Sequence, residues 1–198
     1  LKNVAVDSRW SLIHATHMTQ EETQNLAKSG AVVGLCPITE ANLGDGVFDG
    51  SGLFLSGGKY GIGSDSNVRI SLTEELRLLE YSQRLVRKER NVMTNEEGSV
   101  GRALYSDALA GGAQALGRKS GSIAPGYWAD LLTLDSEALT LCGCTEDEIL
   151  DRWIFSGDDS IVCDVWSAGR QMVSDGRHIL HNEIERRYRS VIQEIRQD

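Results

Sequence analysis

Two histidines and an aspartate stand where reactive chemistry is easiest to build. The run Leu12-Ile13-His14-Ala15-Thr16-His17 sets an imidazole inside an apolar, strand-like piece, and Tyr60-Gly61-Ile62-Gly63-Ser64-Asp65-Ser66-Asn67 sets a carboxylate directly behind another. An imidazole there can hydrogen-bond or exchange a proton near neutral pH. A carboxylate at a strand end can hold a divalent metal and take up the proton of a metal-bound water. Both have plainer uses. His14 is also readable as a hydrogen-bonded core residue, and Asp65 as a turn or capping residue, although Ser71 is better placed to cap the helix that follows. Gly61 and Gly63 share a face with Asp65 and lack side chains, which reads as space left for a ligand or ion.

The stretch from Cys36 through Pro37, Ile38, Thr39, Glu40, Ala41, Asn42, Leu43, Gly44 and Asp45 to Gly46 reads as a loop able to close over a substrate, or as a surface loop of the same composition. Cys142, Cys144, His178 and His181 offer four further metal ligands. Their spacing matches no common structural zinc pattern, and strand alternation would send the two histidines to opposite faces if both lay on one strand.

The elements that must position these groups read as short apolar strands alternating with capped helices, the pattern of parallel α/β architecture. Strands are expected at Ser11–Thr16, Ala31–Cys36 and Tyr60–Ser64. Alternation on the first would turn His14 and Thr16 one way and His17 the other. Thr19 with Glu22, and Ser71 with Glu74, form capping boxes. Gly30 stops the first helix, and the second carries Leu72, Leu76, Leu79 and Val86 on one face. Between Ile38 and Gly58 the Gly, Asn and Asp content predicts a long loop. A helix at Val100–Leu116 precedes a change of pattern. Short strands at Leu131–Leu134, Ile161–Trp166 and Arg170–Val173, with a turn at Ser174-Asp175-Gly176, predict a small β-rich unit. An amphipathic helix, Asn182–Arg196, closes the chain with Ile184, Tyr188, Val191 and Ile195 on one face. Periodicity alone leaves a (β/α)8 barrel and a doubly wound sheet equally open.

In order and spacing, His14-Ala-Thr-His17, then Cys36-Pro37-Ile-Thr-Glu-Ala-Asn42-Leu-Gly44-Asp-Gly46, then Gly63-Ser-Asp65-Ser-Asn67-Val-Arg69 resemble strands six, seven and eight of the amidohydrolase-superfamily deaminases. The wording is nearest to the formimidoylglutamate deiminases. Gly121-Ser-Ile-Ala-Pro125-Gly126-Tyr-Trp-Ala129-Asp130 looks like the return into that family's small β-domain.

The resemblance implies an α/β fold: the C-terminal part of a (β/α)8 barrel over residues 1–118, a small β-domain over 119–181 and a C-terminal helix over 182–198. It implies a zinc-dependent hydrolysis of a carbon–nitrogen bond in a linear amidine. Asp65 would be a Zn2+ ligand and proton acceptor, and His14 would hydrogen-bond the attacking hydroxide. Cys36, Asn42 and Arg69 would be candidates for substrate contact, Arg69 being more readily read as a solvated arginine at the entry to a helix. The family's other metal ligands would lie before Leu1, so the chain by itself is expected to be inactive and its three strands prone to aggregate. Other deaminases or chlorohydrolases of the superfamily, or a non-catalytic interaction fragment, are the alternatives.

Composition predicts a packed globular protein. The 198 residues are 40% hydrophobic with only 2 prolines, enough to bury a core. The net charge of -9 is interleaved with Lys and Arg, so no basic stripe exists to follow nucleic acid. No apolar run approaches the roughly 18 residues of a membrane span. Four scattered cysteines suit reduced thiols in the cytoplasm. Leu1 to Asp7 carry neither a starting methionine nor a signal pattern and read as the middle of a longer protein; the resemblance implies a homo-oligomer when complete.

Overall fold

The computed structural model describes residues 4–94, 96 and 98–197. The opening Leu1–Asn3 thus lie outside it. The chain forms two compact units, Leu1–Tyr127 with Ser136–Asp159, and Trp128–Asp135 with Ser160–Asp198. Segment 136–159 folds with the first unit, after the chain has entered and left the second.

The first unit is built on a parallel sheet of order β1 (Ser11–Ile13), β2 (Val32–Leu35) and β3 (Lys59–Ile62). Ser11 lies beside Val32, and Val32 beside Lys59. Val32, Val33 and Leu35 are fully buried, as a central strand covered on both faces requires. Helix α1 (Gln20–Ser29) starts at the Thr19/Glu22 capping box and ends at Gly30, whose φ of 73° needs no Cβ.

The long loop expected after Pro37 is instead two short helices, α2 (Pro37–Leu43) and α3 (Gly50–Leu55). Pro37 sits in the first turn of α2, where its missing N–H costs nothing.

Helix α4 (Leu72–Arg87) is capped by Ser71, which accepts from the Glu74 N–H. The Glu74 side chain pairs with Arg69, so this cap has only one half of the expected box. The buried face of α4 also differs from expectation. Leu76 and Leu79 are buried, but Leu72 and Val86 are exposed, and Glu75, Glu80 and Gln83 take the inward positions. Polar side chains are tolerated there because each meets backbone groups. Glu80 accepts from the Val92 and Met93 N–H groups at 3.0 Å each and pairs with Arg84. The Gln83 side chain donates to the Phe48 carbonyl and accepts from the Ser51 N–H. Helix α4 thus fastens the segment that carries α2 and α3.

Helix α5 (Val100–Ala115) lies against β3, and α6 (Asp147–Phe155) packs on α4 and α5. Gly61 does not open space for a ligand: a Cβ there would stand 3.1 Å from Gly112 Cα, so its missing side chain admits α5. Tyr60, almost wholly buried, donates its hydroxyl to the Leu104 carbonyl of α5.

The second unit is an antiparallel meander of β4 (Leu131–Leu134), β5 (Val162–Ser167), β6 (Arg170–Ser174) and β7 (Arg177–His178), followed by α7 (His181–Ile195). Its two tight hairpins turn at Ala168-Gly169 and Asp175-Gly176. All four of these residues have positive φ, as the two-residue turn matching strand twist demands. On α7, Ile184, Tyr188, Val191 and Ile195 are all more than half exposed. No helix among the described residues is long and apolar enough to cross a membrane.

Candidate active site

Strand β1 stops at Ile13, three residues before the expected end, and His14 leaves it by a strained turn. The His14 N–H still extends the ladder to the Gly34 carbonyl at 2.8 Å, and the Ala15 N–H then folds back to the Ile13 carbonyl at 2.9 Å. His14 and Ala15 have φ of 65° and 49°. A three-residue turn of this hand is rare, and left-handed backbone in non-glycine residues costs about 1–2 kcal/mol each. Simple alternation therefore does not govern His14. The turn leaves its side chain half-buried, while His17 lies exposed.

Asp65 arrives in a similar way. Strand β3 ends at Ile62, the Gly63 N–H bonds to the Leu35 carbonyl at 3.0 Å, and Asp65 takes a φ of 51°. Non-glycine residues in this conformation concentrate at functional sites. His14 Nε2 stands 3.8 Å from Asp65 Oδ2. That is too long for a direct hydrogen bond, yet one oxygen atom at about 2.8 Å can reach both. The two side chains are 36% and 46% exposed, so the pair opens to solvent on one side.

Behind them lies α2. Thr39 donates its hydroxyl to the Ser64 carbonyl at 2.9 Å, and the Ser66 N–H returns to Thr39 Oγ1 at 3.3 Å, which pins the loop bearing Asp65. Glu40, buried, places Oε1 3.1 Å from His14 Nδ1 and accepts from the Cys36 N–H at 2.8 Å. Glu75 of α4 in turn accepts from the Ile38 N–H at 2.8 Å, in the first turn of α2. None of Thr39, Glu40 and Glu75 was singled out from sequence. The usable signal was Glu40 four residues beyond Cys36, a helical spacing hidden once the segment is read as loop.

His14, Asp65 and Cys36 are thus brought together, with Cys36 buried. Asn42 is exposed on α2, and Arg69 is exposed and paired with Glu74. Among the described residues, His14, Cys36 and Glu40 form a group whose ligand atoms lie within 4.8 Å of one another. Burial first, then the carboxylates of Glu40, Asp65 and Glu75, push the Cys36 thiol up to about 11, so it is a thiol at neutral pH. The His14–Glu40 hydrogen bond accounts for their proximity without a metal. Asp65 is a solvent-open carboxylate at a strand end and suits one position of a zinc shell. Zinc requires about three protein ligands. Of the other candidates, Cys142 and Cys144 belong to the first unit and His178 and His181 to the second. His178 accepts from the Leu180 N–H, and His181 pairs with Glu185.

Burial raises the Glu75 carboxyl to about 7, with Glu40 and Glu74 adding to it and the Ile38 N–H opposing. Oε1 of this carboxyl is buried without a partner. A carboxyl whose folded pKa exceeds its unfolded value near 4.5 binds its proton more tightly in the native state. Its contribution is present below pH 4.5 and is lost as pH rises through 7. Glu75→Gln is therefore expected to remove a loss of up to about 3 kcal/mol between pH 5 and 8. Urea midpoints at the two pH values check this, and parallel pH slopes for both proteins would contradict it.

The chain belongs to the amidohydrolase family, whose model matches residues 5–172. It is 50% identical to formimidoylglutamate deiminase of Pseudomonas aeruginosa over 98% of this chain and 43% of that protein. It is 28% identical to 5-methylthioadenosine/S-adenosylhomocysteine deaminase of Pyrococcus abyssi over 62% of this chain and 28% of that protein. Among solved structures, an amidohydrolase from Brucella melitensis shares 49% identity and a TM-score of 0.92, covering 98% of this chain and 42% of that one. A zinc-bound adenosine deaminase from Xanthomonas campestris shares 26% identity and a TM-score of 0.79, covering 95% and 43%. The chain thus spans less than half the length of these relatives.

Proposed function

We propose that this chain is the C-terminal part of a hydrolytic deaminase that converts N-formimino-L-glutamate and water to N-formyl-L-glutamate and ammonia, a step of histidine degradation. The observation that carries this reading is the His14–Asp65 pair, 3.8 Å apart at adjoining strand ends. It lies in a sequence half identical to a formimidoylglutamate deiminase. The parallel order of β1, β2 and β3 supports their reading as strands six, seven and eight of a (β/α)8 barrel.

Asp65 would hold zinc, with the remaining ligands supplied from outside residues 1–198. Zinc, when bound, supplies a Lewis acid that lowers the pKa of water toward about 7. Asp65 also takes up the proton that water gives up as it attacks the formimino carbon. His14 Nε2 faces the same space and orients that water by a hydrogen bond. The C–N bond then breaks, ammonia carries away the nitrogen with its protons, and the oxygen of water stays as the formyl oxygen. Cys36, Asn42 and Arg69 are this chain's candidates for substrate contact, an arginine being suited to a substrate carboxylate. The reading includes a cytoplasmic homo-oligomer, in keeping with four free cysteines.

The test joins this chain to the complementary N-terminal part of the Pseudomonas relative and measures ammonia release with zinc. The chain alone is expected to give no turnover, and the folded chimera to deaminate N-formimino-L-glutamate. A folded, zinc-loaded chimera that acts only on purines or adenosine derivatives would overturn the assignment, as would clear turnover by the chain alone for the zinc shell.

A further inference from the structure

We infer that Glu40 is the positioning residue that fixes the tautomer and aim of the His14 imidazole, keeping the proton on Nδ1 and leaving Nε2 bare toward Asp65.

The argument rests on which atoms can donate. Glu40 Oε1 already accepts the Cys36 N–H at 2.8 Å, so it presents an acceptor to the ring nitrogen 3.1 Å away. A bare Nδ1 there would set two acceptors against each other beside a carboxylate that is 6% exposed, at the cost of an unsatisfied buried polar group. Nδ1 therefore carries the proton. In a neutral ring the opposite nitrogen, Nε2, then holds a lone pair, and it is this nitrogen that faces Asp65 Oδ2 at 3.8 Å.

Glu40 is itself held firmly enough to impose this. Helix α2 is tied at its first turn by Glu75 to the Ile38 N–H and one residue later by Thr39 to the Ser64 carbonyl. The helix that clamps the Asp65 loop through Thr39 also orients His14 through Glu40. One rigid element thus sets both halves of the pair, as carboxylates do for histidines at metal sites. A bare Nε2 can accept a hydrogen from water while Asp65 accepts another or its proton; a protonated Nε2 would occupy that position as a donor. The catalytic part of this inference rests on the reading under Proposed function, whereas the tautomer does not.

The decisive measurement is nitrogen-15 histidine NMR on the 198-residue chain, followed upward in pH until the His14 ring shows the two distinct nitrogen shifts of a neutral imidazole. His14 is assigned by the loss of its signals in His14→Gln. Nδ1 is expected to give the protonated shift and Nε2 the bare one. Glu40→Gln should preserve that pattern, because its side-chain carbonyl accepts the same proton, and Glu40→Ala should mix the tautomers. A wild-type ring protonated on Nε2 would overturn the inference, as would an undisturbed Nδ1–H in Glu40→Ala.

In the chimera, Glu40→Ala is expected to lower kcat by about 10–100-fold with KM little changed, and Glu40→Gln to restore most of it. An unchanged kcat in Glu40→Ala would remove the positioning role. A chimera inactive on N-formimino-L-glutamate, with the NMR pattern as expected, would remove the substrate reading and support the tautomer assignment.

Discussion

Asp65→Asn is expected to lower turnover of the completed enzyme by about 10^3-fold or more while leaving the fold intact. The amide is nearly isosteric, and at 46% exposure the side chain contributes little to packing, so stability should stay within about 0.5 kcal/mol. The chemistry changes completely. A carboxylate offers negative charge to a cation and a basic oxygen to a departing proton; an amide offers neither, and one of its two polar atoms is an N–H2 donor. Because His14 Nε2 is 3.8 Å away, the substitution also puts a donor in place of one of two acceptors beside the space the two share. Zinc content and kcat should be measured together. Lost zinc with lost kcat assigns Asp65 to metal binding, and retained zinc with lost kcat assigns it to proton transfer. Turnover within tenfold of wild type would remove Asp65 from the mechanism.

What the sequence exposed, and what it hid, follows from the range over which each interaction acts. The central strand was legible because Val32, Val33 and Leu35 form an apolar run bounded by a helix stop at Gly30 and a proline at residue 37. The α1 cap was legible because Thr19 and Glu22 satisfy each other within one turn. His14 and Asp65 stood out because polar groups at the ends of apolar strands are uncommon without a partner.

Helices α2 and α3 were hidden because at 7 and 6 residues they are too short to show periodicity, and they are held by α4 rather than by their own propensity. Glu40 was hidden with them. On α4, burial did not follow hydrophobicity: Glu75, Glu80 and Gln83 are buried to serve backbone groups far along the chain, while Val86 lies in solvent. A side chain's reason for being inside was its hydrogen-bond partner, and the partner's position depends on the fold. The turn at His14 was beyond pattern reading for the same reason, since alternation presumes a strand that continues.

Gly111→Val is expected to unfold the first unit, although it lies on a helix and changes no group near His14. A Cβ at Gly111 would stand 1.9 Å from the Tyr60 carbonyl oxygen and 2.5 Å from its carbon, both backbone atoms of β3 that no rotamer change can move aside. Accommodation requires α5 to lift from the sheet. Lifting it breaks the Tyr60 hydroxyl bond to the Leu104 carbonyl at 3.2 Å and the two bonds of 2.9 Å from Gln114 to Ser8 and Gly30. It also exposes Tyr60 and Leu104, each worth about 1.5–3 kcal/mol when buried. The sum exceeds about 4 kcal/mol, comparable with the whole stability of a small unit.

The neighbouring glycine supplies the control. A Cβ at Gly112 meets nothing within 4 Å, so Gly112→Ala should stabilise the helix by about 0.5–1 kcal/mol through backbone entropy alone. Adjacent residues of one helix are thus expected to move the thermal midpoint in opposite directions. Since β3 delivers Asp65, Gly111→Val should also remove activity from the chimera without touching a reacting group. A Gly111→Val protein that melts with the wild type would mean that α5 does not lie backbone to backbone on β3, and the positioning of Asp65 would need another explanation.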